Sequence, residues 1–308
     1  MEYTGLIRKY PINRFLTDQE RERQLRRGER LDVEPAYQLS TIQMNSTFVE
    51  LVDKFFEWKG FLTAFAIVMA VMFVAGLSAM GVSSIVDGSI HEFWPHLIGM
   101  FIVLVVPILF VAQWMFRKDA FTYTHYPVRL NRKTRMVHVF RFDGTVLSVP
   151  WDEVFFCIGS LPQYNWEIQG HVLDADGKTV RETFAFPQIA AGRSESELLK
   201  HYWEFVRRYM EDENLAPIHA HVQYVLPISD KRESFRMGWE RRRYLVGSAP
   251  LPLQWLMLAI YVITYPGRWI AMRTSKLPRW PEEIEATCGV EPGDPYVRDA
   301  RDNPEGVR

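Results

Sequence analysis

The stretch FLTAFAIVMAVMFVAGLSAMGVSSIV, residues 61–86, carries no charged side chain. A second apolar stretch, FWPHLIGMFIVLVVPILFVAQWMF, covers residues 93–116 and has His96 as its one ionisable group. Each is long enough to cross a bilayer as a helix, because a hydrocarbon core of about 30 Å needs about 20 helical residues. The residues DGSIHE between them predict an antiparallel transmembrane helical hairpin over residues 61–116.

Basic residues flank this predicted hairpin. Lys54 and Lys59 precede it, and Arg117 and Lys118 follow it. By the positive-inside rule, both termini are expected in the cytoplasm and DGSIHE on the other side. Residues 1–16 lack the apolar core of a signal peptide, so the first span is expected to act as an uncleaved insertion signal. The sequence therefore predicts a multi-pass membrane protein with cytoplasmic N- and C-termini.

The overall charge is nearly balanced, with a formal net charge of −1. Nucleic-acid-binding proteins usually carry a basic surplus, so no nucleic-acid partner is predicted. The two cysteines, Cys157 and Cys288, fit a reducing compartment and give neither a disulfide framework nor metal-ligand spacing.

Residues 1–60 are rich in charge and are interpreted as a cytoplasmic arm. Thr17 and Glu20 have the spacing of a capping box, which predicts a short helix beginning near Thr17. Its charges alternate in sign, which favours a solvated helix over a basic contact for anionic lipid. Residues 47–61, TFVELVDKFFEWKGF, are predicted to be a helix that leads into the first span.

After the hairpin, the hydrophobic pattern changes from helical to strand-like. MVHVFRF (136–142) and TVLSVPW (145–151) flank Asp143-Gly144, which predicts a β-hairpin with a type I′ turn. Further strands are predicted at FTYTH (121–125), PVRLN (127–131), EVFFCIG (153–159), NWEIQGHVLD (165–174) and TVRETFAF (179–186). Residues 174–177, DADG, begin like a calcium loop but lack its remaining ligands, and they are interpreted as another β-turn.

One amphipathic helix follows the strands. Ser194 and Glu197 have capping-box spacing. Apolar residues then recur at steps of three and four: Leu198, Leu199, Tyr202, Trp203, Phe205, Val206, Tyr209 and Met210. The predicted fold class is therefore α+β: a two-helix transmembrane hairpin, followed by an antiparallel-sheet cytoplasmic domain over residues 117–230 that one helix closes.

Residues 231–308 are interpreted as a membrane-associated apolar helix and a C-terminal tail. Residues 244–267 carry no charge, but their prolines leave only about 13 good helical positions, fewer than a span needs. Basic clusters on both sides would also place one cluster on the wrong side of the membrane. A helix in the cytoplasmic interface, or packed on the hairpin, is favoured over a third span, which stays open.

No motif indicates catalysis, so the sequence predicts no catalytic residue, cofactor site or metal site. Phosphate-binding loops, HExxH and GxSxG are all absent. His219 and His221 would share a face on a strand, and His201 lies on the predicted helix, but no carboxylate pattern accompanies them. Asp152 and Glu153 would point to opposite faces of a strand.

Aromatic residues are abundant, with 10 Trp, 13 Tyr and 20 Phe. Five tryptophans are placed at membrane borders, where amphipathic rings are favoured: Trp58, Trp94, Trp114, Trp255 and Trp269. Three others are placed in the core of the soluble domain: Trp151, Trp166 and Trp203. Exposed aromatic residues would suit a binding surface.

Residues 127–159, PVRLNRKTRMVHVFRFDGTVLSVPWDEVFFCIG, and residues 277–296, LPRWPEEIEATCGVEPGDPY, resemble an uncharacterised family of proteobacterial inner-membrane proteins associated with type VI secretion effector loci. The resemblance covers about residues 41–296. It implies the bacterial inner membrane and a role beside a secreted toxin, and it supplies no active-site residues. The strand, Asp-Gly turn and strand ending in Trp also resemble bacterial pleckstrin-homology-like (PH-like) domains that follow a transmembrane pair.

The predicted function is a binding protein anchored in the inner membrane, an immunity or accessory factor for a type VI secretion effector. Its partners would be the lipid bilayer and a cognate effector or secretion-associated protein. One alternative is a membrane scaffold or a PH-like protein that binds lipid headgroups, without a toxin. Another is an enzyme acting at the interface through His138, Asp152 or His171.

Overall fold

The computed structural model describes residues 9–161, 165–247 and 250–305, without the side chains of residues 191–196 and 245. Its strands are β1 (Arg14–Phe15), β2 (Thr41–Met44), β3 (Phe48–Leu51), β4 (Val128–Asn131), β5 (Met136–Phe140), β6 (Val146–Pro150), β7 (Val154–Leu161), β8 (Asn165–Leu173) and β9 (Thr179–Ala191). Its helices are α1 (Asp18–Glu22), α2 (Phe61–Val86), α3 (Ile90–Met100), α4 (Val106–Asp119), α5 (Gly192–Glu211), α6 (Ala216–His221), α7 (Phe235–Val246), α8 (Leu251–Thr274) and α9 (Glu282–Thr287).

The chain divides into two compact units. The sheet unit contains the described chain up to Glu57, His125–Lys231 and the residues from Leu277 onward. The helical unit contains Trp58–Thr124 and Arg232–Lys276. The units are therefore not the consecutive segments 1–60, 61–116, 117–230 and 231–308 that the sequence suggests. Each unit is built from separate stretches of the chain.

Two antiparallel sheets form the sheet unit and confirm the predicted α+β class. One has the strand order β2-β3-β4-β5-β6, and the other has the order β1-β9-β8-β7. Helix α5 packs against β8 and β9. The core contains Trp151 and Trp203, whose stacked rings lie 5.8 Å apart, together with Phe156 and Phe184. The predicted α5 stripe is buried apart from Leu198, which is 42% exposed, and the predicted Ser194 cap lies outside the described side chains.

Residues 48–51 form strand β3 rather than the start of a helix, so the predicted helix over residues 47–61 is wrong. Strand β3 pairs with β2 on one side and with β4 on the other, where Leu51 lies opposite Val128. The residues of FVEL are compatible with a helix or with a strand. Pairing with β4, which follows the helical hairpin in the sequence, makes this segment a strand. The predicted strand at residues 121–125 is also wrong, because Tyr123 makes only an isolated bridge with Lys276.

The hairpin between β5 and β6 is present, but its turn differs from the prediction. Gly144 has a φ of 85°, as expected, whereas Asp143 is not among the described residues with positive φ. A type I′ turn needs positive φ at both central residues. Arg141 O instead accepts from Gly144 N, and Arg141 N donates to Thr145 O. These bonds define a three-residue loop, a type I turn followed by a glycine bulge.

The described N- and C-terminal segments both belong to the sheet unit. The Thr17–Glu20 capping box is formed, which confirms that prediction. DADG at residues 174–177 is a turn, with Gly177 N donating to Asp174 O. The C-terminal segment, residues 277–305, pairs Arg298 with Met44 through two backbone bonds. The tail is therefore part of the folded sheet unit and not an appendage of the apolar helix.

Among the described residues, two helices are long and apolar enough to cross a membrane, one consisting of α2 with the 3₁₀ turn before it and the other of α3 and α4. They cover Phe56–Val86 and Ile90–Asp119. Helix α3 begins at Ile90, so only Asp87, Gly88 and Ser89 separate the two helices. Between α3 and α4, residues Phe101–Val105 form a π-helical turn just before Pro107. Because proline has no N–H group, the helix widens there instead of making its regular bond.

Candidate functional site

Four side chains form a polar row across the five-stranded sheet. Glu50 lies opposite Arg129, Arg129 opposite His138, and His138 opposite Ser148. Side chains opposite each other in an antiparallel sheet share a face, so the four residues form one line. Glu50, Arg129 and His138 are all buried.

Arg129 is the centre of this polar row. Its Nε and Nη2 donate to Glu50 Oε2 over 2.9 and 2.6 Å, and its Nη1 lies 3.3 Å from a Glu285 carboxylate oxygen. Its guanidinium carbon lies 4.5 Å from the ring centre of Phe48 and 4.7 Å from that of Trp280. The C-terminal segment supplies Trp280 and Glu285. The buried cation is therefore neutralised and enclosed within the sheet unit.

His138 is held in its neutral form. Its Nδ1 lies 2.8 Å from Ser148 Oγ, and its buried Nε2 has no hydrogen-bond partner among the described residues. Burial, reinforced by the charge of Arg129, lowers the pKa of His138 to about 4. The imidazole is therefore unprotonated near neutral pH and adds no charge to the polar row.

A second cluster surrounds His171 in the four-stranded sheet. His171 Nδ1 lies 2.9 Å from Thr183 Oγ1, and its Nε2 lies 3.4 Å from both Cys157 Sγ and Glu20 Oε1. Arg14 holds Glu20 through bonds of 2.8 and 2.5 Å. A Cys–His–Glu arrangement can activate a nucleophile, but burial raises the pKa of the Cys157 thiol. The thiol is fully buried and stays protonated, which is typical of a structural role.

A third cluster pairs Lys54 with Glu167 in the interior. The Nζ of Lys54 lies 2.6 Å from Glu167 Oε2 and donates to Tyr10 OH over 2.6 Å. The Tyr10 hydroxyl also donates to Glu167, and Gln169 Nε2 donates to Glu167 Oε1 over 2.9 Å. Each charge therefore has several partners, as buried ions require.

The structure does not bring together the residues considered for an enzyme. His138 and His171 lie on different sheets, and Asp152 lies in a short 3₁₀ turn after β6. Asp152 accepts two bonds of 2.6 Å from Arg135, and these bonds lower its pKa. It is engaged in an exposed ion pair, and among the described residues no hydrogen bond joins it to either histidine.

The other histidines are also separate. His219 and His221 lie on helix α6 and not on a strand, which corrects the argument that they share a sheet face. His201 Nδ1 lies 2.7 Å from the carbonyl oxygen of Glu34. Over the described part of the chain, no group of three His, Cys, Asp or Glu residues is arranged to hold a metal ion.

At the base of the helical hairpin, one carboxylate caps a helix. Asp119 at the end of α4 accepts from the N–H groups of Gly60 and Thr63 at the start of α2, each over 3.1 Å. Lys59 Nζ donates to the carbonyl oxygen of Asp119 over 2.6 Å. These contacts fix the ends of the two long helices beside each other.

Helix α8 joins this base through a buried ion pair. Arg268 donates to Glu233 over 2.7 and 2.5 Å and to the carbonyl oxygen of Lys59 over 3.2 Å. A Cβ atom at Gly267 would lie only 2.4 Å from the backbone nitrogen of Ala64, so α8 and α2 pack almost backbone to backbone. The sequence favours a helix that lies in the cytoplasmic interface or one that packs on the hairpin, and in the structure α8 packs on the hairpin.

The three tryptophans predicted for the core lie in it or against it, and the five predicted at membrane borders are exposed. Trp58, Trp94, Trp114, Trp255 and Trp269 are all exposed. Trp151 and Trp203 are fully buried, and Trp166 packs against the core. Sequence reasoning missed the polar row, although FVEL, VRLN and MVHVF each carry one charged or ionisable residue in an apolar strand. That recurring residue is the signal that could have revealed it.

A protein-family model described as "Family of unknown function (DUF6708)" matches residues 103–292. The match covers more than half of the chain, which therefore belongs to this family. No curated protein and no solved structure matches the chain.

Proposed function

We propose that this member of DUF6708 is a binding protein anchored in a bacterial inner membrane by α2 and the α3–α4 helix. The exposed apolar side chains of these helices carry the proposal, since Met72 is 67% exposed and Phe110 is 74% exposed. Leaving a large apolar side chain in water rather than burying it costs roughly 1.5–3 kcal/mol. A bilayer removes that cost along both helices.

The charges at the two ends of the hairpin support cytoplasmic termini. Lys59, Arg117 and Lys118 lie at its base, whereas Asp87 and Glu92 lie at its tip. The positive-inside rule places the base in the cytoplasm and the tip in the periplasm.

Cysteine labelling in intact cells tests this orientation. Both native cysteines are buried, so background reaction is low. A cysteine at Ser89→Cys should react with a membrane-impermeant thiol reagent, and one at Lys178→Cys should react only after lysis. Labelling at the second position alone would overturn the orientation, and labelling at both in intact cells would refute anchoring in the inner membrane.

Binding rather than catalysis is supported by the way the buried ionisable groups are paired. Arg129 is neutralised by Glu50, and Lys54 by Glu167. His138 is uncharged, and Asp152 is engaged by Arg135. Groups with such partners stabilise a fold, whereas catalytic groups need access to a substrate.

The specific role that we propose is that of an immunity or accessory factor for a type VI secretion effector. This step rests on the resemblance noted from residues 127–159 and 277–296. Anchoring would raise the concentration of the binder at the membrane where an effector arrives or inserts.

Co-expression with the effector encoded beside the gene, scored by cell growth, tests this role. The parent protein should protect the cells. A variant in which a short Gly-Ser linker replaces residues 61–116 should not, even when its sheet unit folds. The linker is feasible because Gly60 N lies 3.1 Å from Asp119 Oδ1, so the ends of the replaced segment are close.

Asp152→Asn and His171→Asn are the matched controls, and both should still protect. Loss of protection in a correctly folded and inserted control would favour the enzyme. Absence of protection by the parent protein would refute the immunity role and favour a membrane scaffold.

A further inference from the structure

Helix α8 exposes apolar side chains over its N-terminal half. Trp255 is 72% exposed and Val262 is 61% exposed. The other large exposed apolar residues of this stretch are Leu251, Leu253, Leu256, Ile260 and Ile263. An apolar patch of this extent marks a surface that contacts lipid or another protein.

The segment that carries this helix is strongly basic. Residues 232–276 contain eight arginines and lysines against two glutamates, although the whole chain has a net charge of −1. Arg268 neutralises the buried Glu233, whereas the pair of Arg243 with Glu240, at 3.4 Å, is exposed to solvent and therefore weak. The remaining positive charge belongs to α7 and to the C-terminal end of α8, and it is complementary to anionic lipid headgroups.

Helices α7 and α8 are locked together as an antiparallel pair. Tyr265 OH donates to the carbonyl oxygen of Phe235 over 2.5 Å, and the guanidinium carbon of Arg242 lies 4.6 Å from the ring centre of Tyr261. Helix α7 is basic, and the N-terminal half of its neighbour α8 is apolar. This is the division that helices lying in a membrane interface show between their two faces.

The length of the apolar stretch favours lying in the membrane surface over crossing the membrane. The uncharged part of α8, residues 251–267, extends about 26 Å as a helix, which is still less than the hydrocarbon core of about 30 Å. At the far end of α8, Arg273 lies 5.9 Å from the ring centre of Trp269, a basic and aromatic pair suited to the headgroup region. Since α8 packs on α2 at Gly267, a bilayer that surrounds α2 would also reach α8.

We infer that α7 and α8 form a binding site for anionic phospholipid in the cytoplasmic leaflet. Trp255, Leu256 and Val262 enter the upper acyl region, while Arg236 and Arg243 bind headgroup phosphates. Arginine suits this role because its planar guanidinium can donate two bonds to one phosphate. The inference rests on the membrane anchoring proposed above and adds a lipid class and a location.

The test uses the full-length protein in vesicles, with a nitroxide on Val262→Cys. In vesicles of phosphatidylcholine with phosphatidylglycerol, the nitroxide should collide with oxygen more often than with a water-soluble nickel complex. A nitroxide at Lys178→Cys, in an exposed turn of the sheet unit, should show the opposite preference. An aqueous environment at position 262 in these vesicles would overturn the inference, including when cross-linking shows that a second copy covers α8.

A titration tests whether binding requires the positive charges. The same protein, solubilised in detergent and carrying an environment-sensitive fluorophore at position 262, is titrated with phosphatidylglycerol. Each arginine near an anionic surface is worth about five-fold in binding, so the Arg236→Gln/Arg243→Gln variant should need about 25-fold more lipid for half-saturation. Arg301→Gln, which removes an exposed arginine of the sheet unit, should leave the titration unchanged. Equal titrations for the double variant and the parent would refute headgroup binding.

These outcomes separate the inference from the proposed function. Failure of Ser89→Cys to report membrane insertion would remove the anchoring itself. Normal insertion with an aqueous position 262 would remove only the lipid site. Labelling of Gly247→Cys from outside intact cells would show that α8 crosses the membrane, which also contradicts the inference.

Discussion

Acidification should destabilise the sheet unit through His138, because the folded protein holds this side chain in its neutral form. Its pKa is about 4 in the fold, against an ordinary value of about 6.5. Between these two values the unfolded chain binds a proton that the folded chain does not. The stability that depends on neutral His138 is therefore fully present above about pH 6.5, and it is lost as the pH falls towards 4.

The size of the effect follows from the two pKa values. Between about pH 7.5 and pH 5, protonation of the unfolded chain should cost about 2 kcal/mol of unfolding free energy. For a unit of this size, that corresponds to a melting temperature lower by about 4–8 °C. The loss of unfolding free energy would approach about 3 kcal/mol near pH 4.

The assay is thermal unfolding of the full-length protein in a non-ionic detergent across this pH range, compared with a His138→Gln variant. Glutamine keeps a polar group beside Ser148 but does not titrate. All other ionisable groups are common to both proteins, so the difference between the two pH profiles isolates His138. Parallel profiles for the two proteins would refute the assignment of a buried neutral histidine.

Three further outcomes test the packing. Trp280→Ala should lower the unfolding free energy of the sheet unit by about 1–3 kcal/mol, because it removes the ring on one side of the Arg129 guanidinium. Trp280→Phe keeps an aromatic ring there and should retain most of that free energy. Equal losses for the two variants in urea unfolding would contradict the stacking argument. Gly144→Val should cost about 1–3 kcal/mol, since Gly144 has a φ of 85°, and an unchanged urea midpoint would show that the turn is assigned wrongly. Gly267→Ala should lower the melting temperature of the helical unit, because the new Cβ would lie 2.4 Å from a backbone atom of α2. Gly76→Ala is the control and should be tolerated, because no atom lies within 4 Å of its Cβ position. Similar melting temperatures for the two variants would contradict the packing of α8.

Features that depend on neighbouring residues were predictable from the sequence. The two uncharged runs give two helices of membrane-spanning length. The Thr17–Glu20 capping box and the positive φ of Gly144 follow from residues a few positions apart. The buried stripe of α5 follows from its helical period, because an amphipathic helix must bury one face.

The tertiary structure decided the features that join distant parts of the chain. FVEL at residues 48–51 fits a helix or a strand, and only its pairing with Val128–Asn131, across the intervening helical hairpin, makes it a strand. The polar row depends on Arg129 meeting Glu50, 79 residues away, and the buried Lys54–Glu167 pair joins residues separated by 113. Helix α8 has a composition that suits several positions, and its place follows from Gly267 allowing close approach to α2. Local periodicity records which face of a segment is apolar, but the partner that buries that face or neutralises a charge comes from elsewhere in the chain.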